Sequence, residues 1–162
     1  MKILVAFSTK YGAAEKAVEI LAENMKSEVD ILDLRELPER DDLDLSFYNA
    51  VVVGGSIYAG KIQRDVRGFC LENMDFLLAN PLGLFICCAF GDKAEKQMED
   101  AFTENLLEHA ILKGYFGYQF NMQQMNFICR LIVRLVTGIK KTEDALDEAG
   151  IKKFAREFEA KI

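Results

Sequence analysis

Three short stretches carry residue types that could hold a ligand. The first is Ser8-Thr9-Lys10-Tyr11-Gly12-Ala13-Ala14, which sets two hydroxyls, a cation and a glycine between an apolar run and a helical pattern. Unsatisfied N–H groups at a helix start, aided by the helix dipole, favour an anion. The stretch is therefore either a phosphate site or a turn in which Ser8 or Thr9 merely caps a helix. The second is residues 54–61, GGSIYAGK, where glycines allow close backbone approach to a ligand and Tyr58 offers an aromatic face. An ordinary strand-to-helix turn with Tyr58 on the surface is the alternative. The third is residues 89–93, AFGDK, in which Phe90 could pack a planar ring and Gly91-Asp92 makes a turn. None decides the matter alone. Together, at one sheet edge, they describe a pocket with an anion end and a flat, aromatic-lined end.

Other chemistries lack their residues. The pattern G-x-x-x-x-G-K-[ST] is absent, and so is G-x-G-x-x-G after the first apolar run. The candidate strand ends read AFSTK and VVGGS, without the carboxylates of a phospho-accepting receiver. His109 is the only histidine, and Cys70, Cys87, Cys88 and Cys129 show no ligand spacing, so neither a metal site nor a histidine triad is expected. Buried thiols in a reducing compartment are the expectation for the cysteines.

The elements that must position these loops follow from periodicity. Apolar runs at 2–7, 28–34, 50–55, 82–90 and 111–118 read as strands. Helical spacing is read at 13–26, 64–78, 93–110, 123–137 and 146–161. Uninterrupted apolar strands such as AVVV imply a sheet covered on both faces. Alternating strands and helices imply a doubly wound five-stranded parallel sheet, with ligands beyond the carboxyl ends of the strands.

A chain of 162 residues with 51% hydrophobic residues and only two prolines is read as one domain, 1–162. No secretory signal and no membrane span is expected, which suggests the cytoplasm. The net charge of -6 argues against nucleic acid. The charge is uneven. Residues 113–142 hold five basic residues (Lys113, Arg130, Arg134, Lys140 and Lys141) and no acidic ones, while the remainder carries 15 basic and 26 acidic residues.

FSTKYGAAEKAVEILAE, GGSIYAG and AFGD together resemble a flavodoxin-type FMN domain, with strand order 2-1-3-4-5, helices on both faces and an extra helical segment after strand 5. Within that group the chain is similar to the menaquinone-dependent protoporphyrinogen IX dehydrogenases. The likeness lies in the FST opening, the VVVGGSI strand and the long segment after the fifth strand. The resemblance implies that Ser8, Thr9, Lys10, Tyr11, Gly12, Ala13 and Ala14 surround the FMN phosphate. It implies that Ser56, Ile57, Tyr58, Ala59 and Gly60 flank the ring on one side, and Ala89, Phe90, Gly91 and Asp92 on the other. Ala14 stands where such loops commonly have Thr. One charged hydrogen bond fewer is worth ~1.5–3 kcal/mol, roughly ten- to hundredfold in affinity.

The resemblance implies an FMN-dependent oxidoreductase oxidising protoporphyrinogen IX with a quinone as acceptor. The alternatives are an electron carrier between redox proteins and a flavin-free interaction domain. No side chain stands out as a catalytic acid or base. Residues 121–141 place Met125, Ile128, Leu131, Ile132, Leu135, Val136 and Ile139 on an apolar stripe, with Arg130, Arg134 and Lys141 towards the other side. Three readings stay open for this segment: a peripheral helix at the inner face of the cell membrane, a core helix with solvated arginines, or an arginine site for tetrapyrrole carboxylates.

Overall fold

The computed structural model describes every residue except 40–42, 90, 124 and 140, and the side chains of 37–39 as well. Its strands are β1 (Lys2–Ser8), β2 (Glu28–Asp33), β3 (Ala50–Tyr58), β4 (Lys61–Ile62), β5 (Leu82–Cys87), β6 (Leu112–Tyr115), β7 (Gly117–Phe120) and β8 (Glu143–Leu146). The helices are α1 (Ala13–Glu23), α2 (Arg64–Glu72), α3 (Met74–Ala79), α4 (Ala94–Ala101), α5 (Glu104–His109), α6 (Phe127–Thr137) and α7 (Glu148–Lys161). Five parallel strands run in the order β2-β1-β3-β5-β6, with β4 paired to β3 outside that path. The order of the five parallel strands along the chain is thus 2-1-3-4-5, as expected.

The unbroken apolar strands are explained by two cores. Alternate side chains of a strand point to opposite faces. Leu4, Ala6, Val51, Val53, Leu82 and Leu84 meet α2 to α5 on one face. Ile3, Val5, Phe7, Val52 and Phe85 meet α1 and α7 on the other. Both faces of the sheet are therefore occupied before the segment between β7 and β8 is placed.

Several expected elements divide. The helix read over 64–78 breaks at Asn73, whose side chain donates to the Phe69 carbonyl at 2.9 Å. The helix over 93–110 breaks at Phe102, which is extended (φ -122°, ψ 156°) and buried. The strand read over 111–118 turns after Phe116, which stacks on Phe85 with ring centroids 5.0 Å apart. Gly117 then takes a left-handed conformation (φ 74°), and β7 pairs antiparallel with β8, a strand the sequence reading did not foresee. A Cβ on Gly117 would come within 2.2 Å of the Ala145 carbonyl oxygen, so the turn needs glycine. The helix expected from 123 begins only at Phe127. The Asn126 side chain caps it by accepting from the Cys129 N–H at 2.8 Å, and Gly138 ends it (φ 74°).

Candidate functional site

The carboxyl ends of β1, β3 and β5 bring the three predicted loops to one edge of the sheet. β1 and β3 are in register up to Ser8 and Gly55, and β3 and β5 up to Ser56 and Cys87. At this edge lie two neighbouring spaces that share lining residues. A narrow cleft of about 50 Å³ is lined by Lys10, Tyr11, Ala13, Ser56, Cys87 and Gln119 among others. A wider cavity of about 340 Å³ is lined by Ala59, Gly60, Gln97, Ile132, Val133 and Val136 among others. Ile57, Tyr58, Ala89 and Phe120 border both.

The hydroxyls of the first loop are turned inward. Ser8 and Thr9 are buried, and Ser8 Oγ donates to Asp65 at 3.1 Å. Thr9 Oγ1 accepts from the Gly12 N–H at 3.0 Å and lies 3.1 Å from Ser56 Oγ. Thr9 thus ties the first loop to the second, and Ser8 ties it to α2. No side chain caps α1, and its preceding residue Gly12 is left-handed (φ 90°). By helix geometry its first N–H groups have no intrahelical acceptor, and these amides with Lys10 are groups of the kind that receive an anion. Ala13 lines the cleft, whereas Ala14 is fully buried among apolar residues under the helix. The hydroxyl discussed for position 14 would therefore sit in the core; position 13 is the one that borders the cleft.

Two of the three glycines of the second loop do not make room for a ligand, whereas the third, Gly60, lines the wider cavity. Gly54 and Gly55 lie inside β3. A Cβ on Gly54 would meet the Phe85 ring and carbonyl oxygen at 2.3 Å, and one on Gly55 would meet the Ser8 carbonyl oxygen at 2.7 Å. They permit close packing within the sheet, which corrects the expectation of ligand approach. The stretch is also a hairpin rather than a strand-to-helix turn: Tyr58 pairs with Lys61 across Ala59 and Gly60. Both turn residues have positive φ, 49° and 76°, as a two-residue hairpin turn demands. Ala59 holds that conformation against the usual preference of L-residues, a strain of ~1–2 kcal/mol.

The aromatic end is built by Tyr58. Lys10 Nζ lies 3.6 Å from the centre of its ring, and Tyr11 meets it edge-on with centroids 5.9 Å apart. Its hydroxyl lies 3.4 Å from Cys129 Sγ, on the inner side of α6. Hydrogen bonds with Tyr11 and Tyr58, together with the Lys10 charge, hold the Cys129 thiol below the ordinary thiol range. Burial pushes the Tyr11 hydroxyl up, and its bond with Cys129 adds to the shift. Burial also pushes up the thiols of Cys87, which lines the cleft, and Cys70, which is remote from it and rises to about 12.

Ala89 of the third loop borders both spaces, whereas Gly91 and Asp92 form an exposed turn leading into α4 and line neither. Phe90 lies outside the described residues. Sequence reading missed Tyr118, Gln119 and Phe120 of β7, for which the left-handed Gly117 was the available signal. It also missed Gln97 on α4, whose Oε1 is buried without a hydrogen-bond partner among the described residues. Among those residues no cluster of potential metal ligands occurs, and no helix is long and apolar enough to cross a membrane.

A family model described as a flavodoxin domain matches residues 4–147. The chain belongs to the flavodoxin domain family. Flavodoxin domains bind FMN, and the chain has their FMN-binding fold. Solved structures agree with that fold. Flavodoxin 2 from Bacillus cereus is 16% identical, with a TM-score of 0.61 and 100% of each chain covered. The flavodoxin of Streptococcus pneumonia TIGR4 is 15% identical, with a TM-score of 0.58 and 100% of each covered. The rubredoxin oxygen:oxidoreductase of Desulfovibrio gigas is 14% identical, with a TM-score of 0.58; 99% of this chain matches 36% of that one. No curated protein matches the sequence.

The residues of this flavodoxin-family chain fit the group that its family binds. The uncapped start of α1 and Lys10 suit a phosphate, and the wider, mostly apolar cavity suits a flat ring. The orphaned Gln97 oxygen is the acceptor that an imide N–H at a ring edge requires.

Proposed function

We propose that this flavodoxin-family chain is an FMN-dependent oxidoreductase that moves reducing equivalents from a small apolar ring compound to a lipid-soluble acceptor. The resemblance of the sequence names protoporphyrinogen IX as donor and a quinone as acceptor. The single observation that carries the reading is the 340 Å³ cavity, lined on one side by the apolar side chains of Ile132, Val133 and Val136 of α6. When bound, FMN supplies the redox chemistry.

The chain supplies placement. The first-turn amides of α1 with Lys10 take the phosphate; Ser8, Thr9 and Ser56 hold that loop in shape. Ile57, Tyr58, Ala59, Gly60 and Ala89 flank the ring, and Gln97 fixes its edge. Ile132, Val133 and Val136 exclude water from the side where substrate would lie. No acid or base is assigned. The proposed unit is the whole of 1–162.

An electron carrier between redox proteins is the second reading. It is favoured by the acidic balance outside residues 113–142, because carriers dock by complementary charge. The visible spectrum of protein reconstituted with FMN tests what both readings share; a colourless protein that takes up no FMN refutes both. Anaerobic mixing with reduced porphyrinogen and a menaquinone analogue then separates them. Turnover supports the oxidoreductase. Its absence, with fast exchange against a ferredoxin-dependent reductase, supports the carrier.

A further inference from the structure

We infer that α6 lies flat on an anionic lipid surface and sets the mouth of the wider cavity against it. The cavity part rests on the proposed redox function; the lipid part does not.

The outer face of α6 is an apolar surface with nothing packed on it among the described residues. Phe127, Ile128, Leu131, Ile132, Leu135 and Val136 are 77%, 67%, 46%, 43%, 76% and 63% exposed. Their spacing makes them one continuous stripe along three turns. Other exposed large apolar residues, such as Ile31, Phe47 and Leu71, fall singly on separate elements. A contiguous exposed stripe marks an interaction surface, whereas single residues do not. The helix is also firmly seated. It is capped at both ends, and Cys129 and Val133 anchor its inner side among Met122, Met125, Tyr11 and Tyr58.

Charge selects the occupant. Arg130 and Arg134 run along one border of the stripe, and no acidic residue occurs from 113 to 142 in a chain that is otherwise strongly acidic. Arg130 also holds the helix entry, donating from Nε to the Met125 carbonyl at 2.9 Å, while Arg134 is exposed. Branched aliphatic side chains bordered by guanidinium groups match acyl chains beneath anionic headgroups. Protein interfaces are enriched in Tyr, Trp, Phe, Met and Arg, whereas five of the six residues of this stripe are Ile, Leu or Val. Eleven residues make a helix about 16 Å long, too short to span the ~30 Å hydrocarbon core, so it must lie along the surface.

The stripe and the cavity share residues. Ile132 and Val136 belong to the exposed face and also line the cavity with Tyr58 and Gly60. A lipid surface on α6 would therefore meet the cavity mouth, and an apolar ring compound would enter from the lipid without crossing water.

The test is flotation of the full chain with vesicles of phosphatidylcholine and phosphatidylglycerol. Binding is expected at low salt, weakened severalfold by high salt, by Arg134→Glu and by omission of the anionic lipid. The double variant Phe127→Glu with Leu135→Glu should bind at least tenfold less while melting like the parent. Because the chain has no tryptophan, Leu135→Trp supplies a reporter that brominated lipid should quench. Phe47→Trp, at the opposite edge of the sheet, should stay unquenched. The proposal is overturned by absence of flotation at low salt, by undiminished binding of the double variant, or by equal quenching of both reporters. A dimer that the double variant dissociates, without flotation, would also overturn it by assigning the stripe to a second copy. Flotation is run with and without FMN. Vesicle binding by protein that takes up no FMN refutes the redox reading and supports the docking; FMN binding without flotation refutes only the docking.

Discussion

Helices α1 and α6 each have eleven residues and an apolar stripe at the same spacing, yet their stripes meet opposite environments. In α1, Ala14, Ala17, Val18 and Leu21 are fully buried against the sheet, whereas in α6 six larger apolar side chains face outward. The difference lies in what space remained. α1 and α7 cover one face of the sheet and α2 to α5 the other, so α6 has no sheet face left to cover. It perches on the loops at the sheet edge by two buried side chains, Cys129 and Val133. Amphipathic spacing shows that a helix has an apolar partner; it does not show that the partner is within the chain.

That contrast should appear most strongly in paired truncations. Leu21→Ala removes core packing and should lower unfolding free energy by ~2–5 kcal/mol. Leu135→Ala removes a side chain already in solvent and should change it by no more than ~0.5 kcal/mol. Urea denaturation measures both, and equal losses would break the comparison. Next in size is Val133→Ala on the inner side of α6, expected to cost about 1–2 kcal/mol in the seating of the segment. Protease cleavage between 121 and 139 should accelerate while the urea midpoint of the sheet holds.

Removing the cap is the smaller change of the same kind. Asn126→Ala should destabilise α6 by ~1 kcal/mol, visible as faster amide exchange at the start of that helix and unchanged exchange in α1. The smallest effect concerns an ion pair between α1 and β8, the strand that follows α6. Lys16 of α1 bonds Asp144 of β8, which lowers the Asp144 carboxyl below its ordinary value. A lowered carboxyl pKa stabilises the fold above its unfolded value near 3.8, and that stabilisation is lost as pH falls through the folded value. Both groups are well exposed, so Asp144→Asn should cost at most ~0.5 kcal/mol at neutral pH. The difference between parent and variant should vanish in acid. A constant difference across pH would mean that the contact acts by packing alone.

The five parallel strands were legible because buried strands read as short apolar runs and alternate with helices, while their order followed only from the resemblance to a flavodoxin-type domain. The boundaries inside the helical stretches were not. Phe102 sits on the apolar face of one continuous periodicity, and only its tertiary seat makes it extended. The loops at 8–14 and 89 were placed correctly because the end of a parallel strand is a local signal. The role of Gly54 and Gly55 was misread, since the atoms that need their missing side chains, Phe85 and the Ser8 carbonyl, lie on neighbouring strands. Ser8 and Thr9 could be recognised as hydroxyls in a turn, but their bonds to Asp65 and Ser56 join residues distant in sequence. Gln97 gave no signal at all, because an orphaned acceptor exists only once its surroundings are packed.

Local patterning thus determined the five parallel strands, the helical periodicities and the sheet edge at which a ligand would lie, all of which depend on neighbours a few residues away. Tertiary structure alone decided which apolar stripe would be buried, because that depends on how many helices two faces of one sheet can hold.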